Sequence, residues 1–261
     1  MCSVFGYVAD DNEQVPLSVV ERMARANLCR GPHAFGFAWI TADGRLRSYK
    51  QEGRITDHMG LLAMTRGARM LIGHVRWATH GDPKNNTNNH PHAVDGGWLV
   101  HNGVLYNYRE LVQDLALRPI SECDSEVIGL MIERRPGALL DRTRLSVGKC
   151  EGPLTVMAMW ARPARLIVAR MGNPLHAART VHGRLFSSLS DGLPPGVRSV
   201  SFEDDTAAEF MFSRDDQGGT KGVVNVKVQQ VTRLAHHHVS SHAGAGRRIG
   251  NRGNSEEYQG G

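Results

Sequence analysis

The sequence predicts an α+β fold in which strands outnumber helices. Short apolar or alternating runs, bounded by Gly, Asn, Asp and Pro, recur along the chain and dominate after Leu154. Only a few stretches repeat apolar residues at helical spacing, the clearest being Leu17, Val20, Met23 and Ala26. No internal repeat interrupts this pattern.

Taken in order, Ser3–Ala9 is a short, mostly apolar strand, and 10–14 is a polar turn. The three-residue spacing predicts a helix over 16–27, with Pro16 tolerated in its first turn. Ala34–Ile40 (AFGFAWI) reads as a buried strand; Ala42-Asp43-Gly44 turns the chain and 45–50 returns it as a hairpin. A helix is expected over 57–66, ending near Gly67, and a strand over 68–76. A further strand from Gly97 meets Asn102-Gly103, a dipeptide whose default reading is a tight turn. Helices follow at 106–115 and 121–134. Strands are expected at 154–160, 165–169, 176–179 and 185–188, with a turn at Gly172-Asn173-Pro174, and a last strand at 222–231. Beyond Leu234 apolar residues nearly vanish, and His236-His237-His238 gives way to Ser, Gly and Arg. The expected organisation is one domain over 2–232 and a solvated tail over 233–261.

Composition excludes several classes. At 41% hydrophobic, 261 residues can bury a real core. No run of about 18 apolar residues is present, so no membrane span is expected. The N-terminus lacks a basic segment followed by an apolar one, so it is no secretory signal. Cys2, Cys29, Cys123 and Cys150 match neither a zinc spacing nor a disulfide framework, and a reduced, cytoplasmic setting fits them best. The net charge of +5 is too modest and scattered to make nucleic acid the main partner. His74 and His80 are not at i,i+4, and His90-Pro91-His92 is too short to close a site, so no metal is expected. No Gly-rich phosphate loop points to a cofactor.

Chemistry gathers at five places. Removal of Met1 would leave Cys2 with a thiol and a free α-amine on one residue. An amine with a pKa of about 7.7–8.0 can take the thiol proton near neutrality. Arg30-Gly31 sits in a glycine-rich turn. In Gly73-His74-Val75-Arg76-Trp77-Ala78-Thr79-His80-Gly81 a strand ends on Arg76, which can hold a carboxylate by two parallel bonds, and on Trp77, which can cover a substrate. The Asn102 amide and the Gly103 N–H can both point at one oxygen, as an oxyanion hole requires. Asp124 either caps the helix that follows it or accepts hydrogen bonds from a substrate ammonium.

These segments, in this order, resemble the class II glutamine amidotransferase domain, an N-terminal-nucleophile hydrolase, and most of all the glutaminase half of glucosamine-6-phosphate synthase. The resemblance covers residues 2–190 well and 190–232 loosely. It implies a four-layer αββα sandwich with two mostly antiparallel sheets. It implies that Cys2 attacks the side-chain amide of L-glutamine, that Asn102 and Gly103 hold the oxyanion, and that Arg76 with Thr79 binds the α-carboxylate. Asp124 would bind the α-ammonium, Trp77 and His80 would belong to the closing loop, and Arg30 would position the N-terminal region. Ammonia would pass to a separate synthetase or ligase. The alternatives are an amidase acting on another γ-glutamyl compound, and a non-catalytic member kept for binding or assembly. Three departures stand out: Ser3 where Gly is usual, His33 where an acid is frequent, and Cys123 and Ser125 where Thr is frequent.

Overall fold

The computed structural model describes residues 2–10, 13–214 and 220–233, and the side chains of all of these except 213, 214 and 220–224. Its strands are β1 (Ser3–Ala9), β2 (Ala34–Ile40), β3 (Leu46–Glu52), β4 (Met70–Arg76), β5 (His92–Val94), β6 (Gly97–Gly103), β7 (Leu154–Ala161), β8 (Ala164–Met171), β9 (His176–Thr180), β10 (Gly183–Ser187), β11 (Ser199–Ser201), β12 (Thr206–Arg214) and β13 (Thr220–Gln230). Its helices are α1 (Leu17–Asn27), α2 (Tyr108–Asp114), α3 (Ser125–Arg134) and α4 (Leu139–Val147).

The strands form two sheets, one in the order β11-β9-β10-β1-β4-β2-β3 and one in the order β13-β12-β8-β7-β6-β5. Every strand pair within them is antiparallel. Three apolar cores stack between four layers. One lies between α1 with the 3₁₀ run Ile55–Thr65 and the outer face of the first sheet, through Phe5, Tyr7, Met23, Phe37 and Leu62. The middle core joins the two sheets through Val4, Ile40, Ile72, Val100, Met157 and Val168. The third packs α2, α3 and α4 on the second sheet through Leu99, Ile128, Ile132, Val147 and Ile167. Fully burying each such side chain contributes about 1.5–3 kcal/mol, so the αββα order is what the apolar content dictates.

Several expectations need correction. The segment expected as a helix over 57–66 is 3₁₀, and His58 breaks it at φ −133° and ψ 26°. Asn102-Gly103 makes no tight turn: β6 runs straight through both, and Asn102 pairs with Thr155 of β7. Asp124 precedes α3 but makes no side-chain capping bond. Helix α4 and strands β5, β11 and β12 were not anticipated. Of the tail expected over 233–261, Arg233 is held by Asp205 at 2.8 Å, and the remainder lies outside the described residues.

Candidate active site

Cys2 stands at the entry of β1, at the centre of the first sheet. Ser3 pairs with Val75, so the register brings Cys2 to the end of β4. There its Sγ lies 3.3 Å from the Trp77 carbonyl and accepts the Trp77 N–H at 3.3 Å. Burial pushes the Cys2 thiol above its ordinary value, and the Trp77 N–H and the Arg76 guanidinium oppose that rise. The thiol is therefore protonated near neutrality, and any reaction as a nucleophile would require a base.

Facing it, β6 delivers Asn102 and Gly103 from the second sheet. Asn102 is buried, and its Nδ2 has no partner among the described residues. A buried amide donor left unpaired costs about 1–3 kcal/mol, so its retention marks a place built for an acceptor. The backbone here is held hard: Asn173 Nδ2 donates to Asn102 O at 2.7 Å and to Pro153 O at 3.0 Å. A Cβ on Gly103 would come within 2.5 Å of Pro153 O, so only glycine fits. Cys2, Trp77, Thr79, Asn102, Gly103, Val104, Tyr106, Pro153 and Asn173 line one cavity of about 320 Å³.

Arg76 and Asp124 lie beside this cavity rather than on its wall. Arg76 is buried; its Nη1 donates to Asn89 Oδ1 at 2.8 Å and its Nη2 to Gly81 O at 3.1 Å and to His80 O. Asp124 is buried too, with Oδ2 accepting the Leu105 N–H at 2.7 Å. Its other oxygen lies 4.0 Å from His80 Nδ1. The loop thus folds back so that His80 presents its carbonyl to the guanidinium and its ring to the carboxylate. One residue covers both charged groups.

His33 occupies the position where an acid was expected from the resemblance. Its Nδ1 accepts the Ala78 N–H at 3.0 Å, and its ring lies 5.0 Å from that of Trp77. An imidazole thus ties the loop to β2. Arg30 ends a 3₁₀ turn and does not line the cavity. Its neighbour Gly31 matters more directly, since a Cβ there would lie 2.6 Å from the Arg76 backbone. Of the residues singled out in the sequence, Cys2, Trp77, Thr79, Asn102 and Gly103 share the cavity. Arg76, His80 and Asp124 form the charged cluster next to it. Sequence reasoning missed Asn173 and Tyr106. Gly172-Asn173-Pro174 carried only a turn signal, and nothing local tied it to β6.

The expectation of no metal rested on spacing along the chain. Among the described residues, His90, His92 and Cys123 bring three ligand atoms within 4.8 Å of one another.

No family model matches the chain. Over 184 residues it is 36% identical to a glutamine–fructose-6-phosphate aminotransferase (isomerizing) from Aquifex aeolicus, covering 67% of this chain and 30% of that protein. Over 208 residues it is 33% identical to the protein of the same name from Symbiobacterium thermophilum, covering 77% of this chain and 33% of that one. The chain thus spans about a third of the length of these relatives. Among solved structures it superposes on glutamine phosphoribosylpyrophosphate amidotransferase from B. subtilis with a TM-score of 0.71 at 23% identity, covering 89% of this chain and 50% of that one. It matches a glutamine aminotransferase class-II domain protein from Silicibacter pomeroyi with a TM-score of 0.57 at 12% identity, covering 90% of this chain and all of that one. These two likenesses bear on the fold.

Proposed function

Because this chain belongs to the class II glutamine amidotransferase domains, we propose that it hydrolyses the side-chain amide of L-glutamine through a thioester on Cys2 and supplies the ammonia to a synthetase. The observation that carries this reading is the unpartnered, buried Asn102 Nδ2 in the same cavity as Cys2 and Gly103.

In this reading Met1 is removed and the freed α-amine of Cys2 accepts the thiol proton. Sulfur attacks the amide carbon, and Asn102 Nδ2 with the Gly103 N–H holds the tetrahedral oxyanion. The α-ammonium returns its proton to the leaving nitrogen, the C–N bond breaks, and ammonia departs. Water, deprotonated by the same amine, then cleaves the γ-glutamyl thioester and releases glutamate. Arg76 takes the α-carboxylate and Asp124 the α-ammonium, so glutamine must displace the His80 carbonyl and ring from both. The loop carrying Trp77, Thr79 and His80 would close again over the bound amino acid. Arg30 and Gly31 would hold the backbone against which Arg76 is set.

The proposed catalytic unit is 2–232. The proposed acceptor enzyme is a separate synthetase, and the proposed compartment is the cytoplasm, in keeping with four free cysteines. Among the described residues no helix is long and apolar enough to cross a membrane.

Intact-mass measurement tests the reading. Loss of Met1, with one covalent adduct from a glutamine-like electrophile, is expected for the native protein. Cys2→Ala should abolish both the adduct and glutamate release. Cys29→Ala should abolish neither, because Cys29 is exposed and outside the cavity. Retained Met1, or equal loss from both substitutions, overturns the assignment. Recovery of the full-length protein with an ammonia-using enzyme tests the partner.

A further inference from the structure

Beneath the charged cluster lies a group of histidines that the proposed chemistry does not use. His74, His90, His92 and His101 are all buried. The His74 and His90 rings stack at 3.9 Å, and His90 meets His92 edge-on at 4.6 Å. Two of the four rings are anchored: His74 Nε2 lies 3.0 Å from His101 O, and His101 Nδ1 lies 2.8 Å from Ser125 Oγ. The other side is bare. Both ring nitrogens of His90 and the Nε2 of His92 have no partner among the described residues. Cys123 completes the group, with its Sγ 3.8 Å from Asp124 Oδ1.

Buried imidazoles with open lone pairs beside a buried thiol are a donor set in want of an acceptor. A protonated imidazole needs an acceptor for each of its two N–H groups, and His90 has none on either nitrogen among the described residues. Neutral nitrogen is the form that binds metals. Two imidazoles and a thiolate suit a soft ion such as monovalent copper or zinc. The known spacing of such ligands, about 2.0–2.1 Å for metal–N and about 2.3 Å for metal–S, requires the three atoms to draw in slightly from their present mutual reach.

We propose that His90, His92 and Cys123 form a buried N₂S site for a soft d¹⁰ cation. Binding breaks the Cys123 S–H bond, forms a metal–sulfur bond and releases one proton to solvent. Coordination number decides between ions. Three donors satisfy monovalent copper, while zinc asks for a fourth. Monovalent copper is therefore the expected occupant. The sequence pattern that hid the site is also plain: the third ligand comes from the approach to α3, far from His90-Pro91-His92.

The test uses the full chain with His236, His237 and His238 changed to Ala, which removes adventitious binding by the histidine triplet. Under anaerobic conditions it is titrated with monovalent copper against a chromophoric chelator, and separately with zinc. The expected result is one equivalent of copper, bound more tightly than zinc, with one sulfur and two nitrogen neighbours in X-ray absorption. Cys123→Ser and His92→Gln should each weaken binding at least tenfold while leaving the far-ultraviolet spectrum unchanged. Failure to bind either ion in one equivalent overturns the proposal, as does binding that survives Cys123→Ser. Neither outcome bears on Cys2, whose reaction with the glutamine-like electrophile is read separately.

Discussion

At the scale of single residues, the proposed mechanism divides the site into groups that act on the transition state and groups that act on binding. Asn102 belongs to the first. Its Nδ2 has no partner among the described residues, and under the proposed mechanism it acquires one when the oxyanion forms, so its contribution would be expressed in the rate. Asn102→Ala is expected to lower kcat about 10²–10³-fold with little change in KM, as measured by initial-rate glutamate release. Asp124 belongs to the second. Asp124→Asn keeps an oxygen for the Leu105 N–H and removes the charge that would meet the ammonium. A charge-assisted bond is worth about 1.5–3 kcal/mol, so KM should rise about 10–100-fold with a far smaller change in kcat. Arg76→Lys should do the same through the carboxylate, since an ammonium cannot reproduce a planar two-point grip. If either substitution moved kcat alone, the assignment of these charges to the amino-acid end of the substrate would be wrong.

At the scale of elements, Asn173 shows how a turn can serve a strand. Its side chain bridges Asn102 O and Pro153 O, while Arg170 Nε donates to the Asn173 carbonyl at 2.8 Å. Asn173→Ala should lower kcat about tenfold or more by freeing the end of β6, and should cost about 1–2 kcal/mol in urea denaturation. This contact was illegible in the sequence because Gly172-Asn173-Pro174 advertises only a turn. The strand carrying Cys2 and the helix 16–27 were legible, since each has a single apolar signal of the right period. Strand β12 was not, because Ala207, Ala208, Glu209 and Phe210 are buried in succession between two layers and show no alternation. Its Glu209 is paired with Arg165 at 2.8 Å, a polar residue no pattern would place in a core. Helix α4 was missed for a related reason: Thr143 and Ser146 lie on its buried face beside Leu140 and Val147, so apolar periodicity fails. Asn102-Gly103 misled in the opposite direction, since its turn chemistry is overridden by pairing with β7. That Cys2, Trp77, Thr79, Asn102 and Gly103 would meet was legible through their shared order along the chain. The folding of His80 over Arg76 and Asp124 was not, because it depends on loop geometry alone.

At the scale of the whole molecule, the proposed catalytic pieces come from both sheets, Cys2 from the entry of β1 in the first and Asn102 with Gly103 from β6 in the second. In that mechanism β6 positions the oxyanion donors, and buried imidazoles pack on it from both sides. His101 is the informative one. It is fully buried on β6, with Ser125 Oγ on its Nδ1, Asp124 nearby from just before α3, and His74 of β4 on its carbonyl. Burial lowers its pKa from 6.5 to about 4, and the Asp124 charge opposes that shift only in part. The unfolded chain then binds this proton before the folded one does. Stability from His101 is complete above pH 6.5, falls as the pH drops below that value, and is spent once the pH has passed through about 4. At about 1.4 kcal/mol per pH unit, the span between those values makes a loss of about 3 kcal/mol. His101→Asn keeps a polar group for Ser125 and has no proton to gain. Urea denaturation of the two proteins across this range should show the native chain losing stability more steeply, by about one proton taken up on unfolding. The neighbouring histidines steepen both curves alike, so the difference between the curves belongs to His101. Parallel curves would mean that folding leaves the proton affinity of this imidazole unchanged, with the Asp124 carboxylate offsetting its burial.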